Sequence, residues 1–143
     1  MKKIIVSDFT LKTAYQSELS LTFREKLALA EKLDSVFVDA IELPALVDCK
    51  ENEVIYRTIS QSIKNAIVKI PVGESAESLN FAYECVKGAK KVSLQVVMPV
   101  STTQMEYMHH MKAPAMQEKI GELVRLAKEK EVCVEFIAED AFR

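Results

Sequence analysis

The chain has 143 residues, of which 49% are apolar and 28% charged, and a formal net charge of −2. That length suits one domain with a real hydrophobic core. The balanced charge argues against nucleic acid or an anionic membrane as partner, since both normally leave a basic surplus.

The opening MKKIIV has the lysines and apolar residues of a secretory leader, but its apolar run stops at Ser7-Asp8. A leader needs about 7–15 apolar residues, and a membrane-spanning helix needs ~20, a length no stretch approaches. Cys49, Cys85 and Cys133 are widely spaced, with no C-x-x-C and no histidine nearby. They predict reduced thiols in a cytoplasmic protein, with two of the three in the core.

KKIIVSDF is a β-rich run, and LTFREKLALAEKLDS a helix. In that helix Thr22 and Glu25 have capping-box spacing, and Phe23, Leu27, Ala30 and Leu33 share one face. VFVDAIELP is again β-rich and ends at a proline, which a central strand does not tolerate. ENEVIYRTISQSIKN repeats Val54, Ile55, Ile59 and Ile63 at helical spacing, and AIVKIPV follows as a strand.

SAESLNFAYECVKGA is a helix closed by Gly88, and the basic cluster Lys87, Lys90 and Lys91 is its solvated end. KKVSLQVVMPV is a strand, and STTQMEYMHHMKAP a longer loop. AMQEKIGELVRLAKEKE is a helix, and VCVEFIAEDAFR brings the last strand. Met98, Met105, Met108, Met111 and Met116 cluster around that loop, either as adaptable core filler or as a surface awaiting a partner, with the second slightly favoured.

Strand–helix alternation with short connections means βαβ units, a parallel sheet and right-handed crossovers. The strands are nearly continuous apolar runs, as in a sheet covered on both faces. Polar residues stand out at the strand ends: Asp8, Glu42, Lys69, Ser101, Glu139 and Asp140. A dinucleotide-binding fold requires a glycine-rich first turn, and neither Gly73, Gly88 nor Gly121 follows the first strand. A flavodoxin-like order remains possible by length. The polar strand ends equally suit a partial TIM-type (β/α) barrel of about five parallel strands with four helices outside, since such barrels place their chemistry at the strands' carboxyl ends. The fold class is α/β, one domain over residues 1–143, roughly half of a barrel.

Three segments resemble the amino-terminal half of the catalytic barrel shared by 2-isopropylmalate synthase, homocitrate synthase and hydroxymethylglutaryl-CoA lyase. The family's D-x-T-L-R-D-G-x-Q is similar to Asp8-Phe9-Thr10-Leu11-Lys12-Thr13-Ala14-Tyr15-Gln16. Its following helix resembles residues 24–42, REKLALAEKLDSVFVDAIE, and its VEFSAEDATR resembles residues 134–143, VEFIAEDAFR. The three lie in the family's order and spacing, so the resemblance covers the whole chain.

The resemblance implies an acyltransferase that joins acetyl-CoA to a 2-oxo acid. In that family the motif arginine stabilises developing negative charge, and the next aspartate binds a divalent metal. Here these positions hold Lys12 and Thr13, and Ala14 stands at the turn glycine. Lysine lacks arginine's planar fork, and a threonine hydroxyl is a poor ligand for a hard cation. The family's His-x-His pair is absent, and His109-His110 lie in a different loop, so no metal site is expected.

By resemblance Lys12, Gln16 and Glu42 are the candidate catalytic residues; Glu42 as a plain strand-end carboxylate is the alternative. Asp8, Lys69, Glu139 and Arg143 are candidate substrate ligands, with a salt-bridged Glu139–Asp140–Arg143 group as the alternative reading. No cofactor is expected in the isolated chain. Divalent metal and acetyl-CoA enter only if the family activity survives with a partner.

Two functions follow. One is half of a split acyltransferase, inactive alone, completed by a second polypeptide. The other is a non-catalytic relative that serves as a regulatory or structural partner or binds a small carboxylate. A segment cut from a longer chain is a third possibility. Val38, Ala40 and Val96 are expected on an inward face left open, to be closed by a homodimer or by a complementary half-barrel subunit.

Overall fold

The structure, a computed structural model, describes residues 4–16 and 21–142, with backbone alone at 14–16. Strands β1 (Ser7–Asp8), β2 (Ala40–Glu42), β3 (Ile67–Pro71), β4 (Val92–Pro99) and β5 (Cys133–Glu139) form one parallel sheet in the order 1-2-3-4-5. Between them run α1 (Thr10–Gln16), α2 (Phe23–Ser35), α3 (Lys50–Ser62), α4 (Ala76–Val86), α5 (Thr102–Tyr107) and α6 (Ala113–Lys128). This is the expected partial (β/α) barrel, and the sequential order excludes the flavodoxin-like alternative. No helix among the described residues is long and apolar enough to cross a membrane.

Sequential parallel neighbours joined by right-handed crossovers carry their helices on one face of the sheet. On that face Ile41, Val68, Ile70, Leu94, Val96 and Met98 are completely buried. They pack with Ala30, Tyr56, Ile59, Leu79, Cys85, Met116, Leu123 and Ala127 from the helices into one core. Residues paired across parallel strands point the same way, so the other face can be read from the register. It carries Ser7, Ala40, Glu42, Ile67, Lys69, Ser93, Gln95, Val97, Glu135 and Ile137. This concave face is polar in its middle, so the strands are not the uniformly apolar runs expected. Val96 belongs to the helix side, contrary to expectation, whereas Ala40 is concave and fully buried.

Several local expectations are corrected. Of the β-rich run ahead of Ser7, the described residues 4–6 do not pair as a strand; Ile4, Ile5 and Val6 are exposed. Val6 is tied down by Asp39, whose carboxylate accepts its N–H at 3.0 Å, and its carbonyl accepts from Asp39 and Ala40. β2 begins only at Ala40, because the chain leaving α2 at Ser35 first turns through Phe37 in a left-handed conformation (φ 61°). Two short helices, α1 and α5, occupy stretches read as turn and loop. Of the cysteines only Cys85 is buried, and burial pushes its thiol up to about 11. Cys49 instead caps α3, accepting from the Asn52 N–H at 3.5 Å, and Cys133 is exposed. Met98, Met105 and Met116 are core residues, and among the clustered methionines Met108 alone is strongly exposed, which favours the filler reading.

Candidate functional site

The first strand ends at Asp8, whose carboxylate accepts the Thr10 N–H at 2.9 Å and the Thr10 hydroxyl at 3.1 Å. That local capping starts α1 directly off the strand and buries Leu11 in the core. The following residue, Lys12, reaches over the carboxyl end of the sheet. Its Nζ lies 3.5 Å from Glu42 Oε2, and Ser7 donates its hydroxyl to Glu42 Oε1 at 2.9 Å. Thr13 is turned elsewhere, donating its hydroxyl to the Phe9 carbonyl of its own helical turn at 3.0 Å.

Glu42 and Lys69 are register partners on neighbouring strands. Lys69 Nζ in turn meets Glu135 Oε1 at 2.8 Å and Oε2 at 3.1 Å, and Gln95 Nε2 donates to Glu135 Oε2 at 3.4 Å. Burial pushes the Glu135 carboxyl up, but the Lys69 and Gln95 hydrogen bonds and the Lys69 charge outweigh it and hold the group below its ordinary value. The concave face therefore carries two lysine–glutamate pairs side by side, Lys12–Glu42 and Lys69–Glu135, each internally neutral.

At the rim beyond them, Glu139 ends β5, and Asp140, in a left-handed conformation (φ 56°), accepts the Ser101 hydroxyl at 2.6 Å. The structure thus brings Lys12, Glu42 and Lys69 together and leaves Asp8 and Glu139 at the margin. Gln16 closes α1, but its side chain and all of Arg143 lie outside the described residues. Ser7, Gln95 and Glu135 join the site without having been candidates, and Ser101, expected only as a polar strand end, joins at the rim. The signal for Gln95 and Glu135 was alternation: Ser93 and Gln95 interrupt VSLQVV every second position, and Glu135 does so in VEF.

A divalent metal of the kind the resemblance implies does not fit the residues present. Thr13 offers a neutral hydroxyl already committed to Phe9, and the nearest cationic group, Lys12, would repel an ion. Among the described residues no three His, Cys, Asp or Glu side chains converge to hold one. His109 pairs instead with Glu74, 3.3 Å away, which also binds Lys119 at 2.6 Å.

The sequence pattern of the HMGL-like family matches residues 3–143. The chain is 31% identical over 144 residues to the 2-isopropylmalate synthase of Bacillus velezensis, covering 100% of this chain and 28% of that protein. It is 29% identical over 143 residues to the 2-isopropylmalate synthase of Clostridium kluyveri, covering 99% of this chain and 28% of the relative. The corresponding protein of Carboxydothermus hydrogenoformans is 28% identical over 144 residues, with the same 28% of its length matched. The chain therefore spans well under a third of the curated relatives it resembles.

Proposed function

The chain belongs to the HMGL-like family, and on that premise we propose that it is a cytoplasmic domain that binds a small carboxylate on its concave face without catalysing condensation by itself. The observation that supports this is the pair of neighbouring lysine–glutamate contacts, Lys12–Glu42 and Lys69–Glu135, on the face where the resemblance would put the substrate. Each lysine offers a donor-rich cation to an incoming carboxylate, and each glutamate keeps that cation oriented between ligands. Nothing in the set replaces a Lewis acid that would polarise a carbonyl, so the face is equipped for recognition and positioning.

Calorimetry and a condensation assay test this together. The isolated chain should yield no acetyl-CoA-dependent product with 2-oxo acids and should bind Mg²⁺, Mn²⁺ and Zn²⁺ more weakly than micromolar. Small carboxylates should bind saturably, and Lys69→Met should weaken them about tenfold or more, the scale of losing one charge-assisted hydrogen bond. Micromolar metal affinity abolished by Thr13→Ala would overturn the reading.

A second reading makes the chain the substrate-positioning half of a split acyltransferase. It draws support from the match to 2-isopropylmalate synthases, which runs along the whole chain. In that reading acetyl-CoA and a divalent metal enter only with a complementary half-barrel polypeptide that carries the His-x-His pair. Co-expression with such a polypeptide would then restore condensation.

A further inference from the structure

Two buried atoms of the concave face, Ser93 Oγ and Gln95 Oε1, have no hydrogen-bond partner among the described residues; the Ser93 hydroxyl is directed toward the Glu135 carboxylate, which leaves the Gln95 oxygen as the acceptor without a donor. Gln95 lies in the middle of β4 and is only 1% exposed. Its Nε2 donates to the Glu135 carboxylate, which fixes the amide orientation, since turning it over would set oxygen against oxygen. Its Oε1 is then a buried acceptor with no donor. Buried polar groups of native proteins are nearly always hydrogen-bonded, so an unmet one marks a place that something else fills.

The surroundings define what that is. Glu135 accepts from Lys69 and Gln95, yet its side chain is 34% exposed, so it can be approached from the concave side. Side by side on this face stand one ammonium, one carboxylate with the Ser93 hydroxyl beside it, and one carbonyl lacking a donor. A simple carboxylate satisfies Lys69 alone, crowds Glu135 and leaves Gln95 Oε1 unmet. A simple amine satisfies Glu135 and Gln95 but takes the counter-ion from Lys69. A molecule bearing both groups leaves every charge paired. One position closer to the rim on this face, Val97 and Ile137 are register partners, both half-buried, and they offer an apolar wall.

We propose that Lys69, Glu135 and Gln95 form a seat for a small aliphatic α-amino acid. Its carboxylate meets Lys69 Nζ, its ammonium donates to Glu135 and to Gln95 Oε1, and its side chain lies along Val97 and Ile137. This rests on the ligand-binding reading above and narrows it from small carboxylates in general to zwitterions.

The test is a titration of the 143-residue chain with L-valine and, separately, with the 2-oxo acid of the same carbon skeleton. Valine should bind saturably and at least tenfold more tightly than the oxo acid, and should shift the side-chain amide resonances of Gln95 in NMR spectra. Gln95→Leu should cost valine at least tenfold in affinity and leave the oxo acid unchanged. The wild-type NMR titration decides the matter if that variant does not fold. Equal or tighter binding of the oxo acid would overturn the ammonium seat while leaving the carboxylate-binding function standing. Valine binding with unmoved Gln95 resonances would put the ligand elsewhere and overturn the assignment. If neither ligand binds and a slowly exchanging water is found at Gln95, both readings fall.

Discussion

Asp34 shows how much one side chain can organise. It lies buried in the last turn of α2, and its carboxylate accepts the N–H groups of Lys64, Asn65 and Ala66 at 2.9, 2.9 and 2.8 Å, with Asn65 Nδ2 at 3.2 Å. These donors lie on the turn that launches β3, so one carboxylate sets where that strand begins. Burial pushes the group up, but the accumulated N–H donors win and hold its pKa below the ordinary aspartate value. Asp34→Ala would leave several backbone donors without an acceptor, and should cost ~3 kcal/mol in denaturant melts. The pH dependence has a definite sign. A lowered folded-state value means the stabilisation is complete above the unfolded pKa, about 3.9, and is lost as pH falls through the folded value. The gap between wild type and Asp34→Ala should therefore close in acid. Nothing in the local sequence announces this residue, because its partners lie some thirty positions away. Lys69 and Glu42 were legible as strand-end polar residues; their pairing with Glu135 and Lys12 depends on curvature and register that no single strand encodes.

Elements that carry their own punctuation were the legible ones. The Thr22–Glu25 capping box is present as expected, the Thr22 N–H reaching Glu25 Oε2 at 2.7 Å and the Glu25 N–H reaching Thr22 Oγ1 at 3.4 Å. Thr22→Ala should lower stability by about 1 kcal/mol in thermal or chemical melts, the usual worth of such a cap. A loss below about 0.3 kcal/mol would show α2 to be held by packing alone. The same signature, Ser101-x-x-Gln104, marks the start of α5, where the Ser101 hydroxyl accepts the Gln104 N–H at 3.2 Å. Short helices of this kind have too few residues to show a 3.6-residue periodicity, so only the cap reveals them. The opposite case arises at β1, where Ile4 and Ile5 have strong β character yet remain exposed. Propensity there is not matched by a neighbour, because β2 begins to pair only at Ala40.

At the scale of the whole molecule, strand count and order follow from simple alternation and its handedness, whereas the polar character of the concave face follows from register between strands. That face is polar, so the drive to associate must come from elsewhere. Ile4, Ile5, Phe37 and Phe136 are exposed, and among the described residues β1 and β5 are the free edges of the sheet. Covering a few hundred Å² of such apolar surface contributes several kcal/mol at roughly 25 cal/mol per Å². A homodimer or a complementary half-barrel is therefore the proposed working state, and light scattering at micromolar concentration should report an oligomer of the isolated chain. A cooperative, monodisperse monomer that binds no apolar dye would overturn it. The sheet is also lopsided: successive strand pairs are in register over two, three, four and seven positions from β1/β2 to β4/β5. Local opening is easiest where the ladder is shortest. Amide deuterium uptake should consequently run as a gradient, fastest around Ser7 and Asp8 and slowest along β4, so that the end of the chain bearing Lys12 breathes while the Gln95 end stays closed.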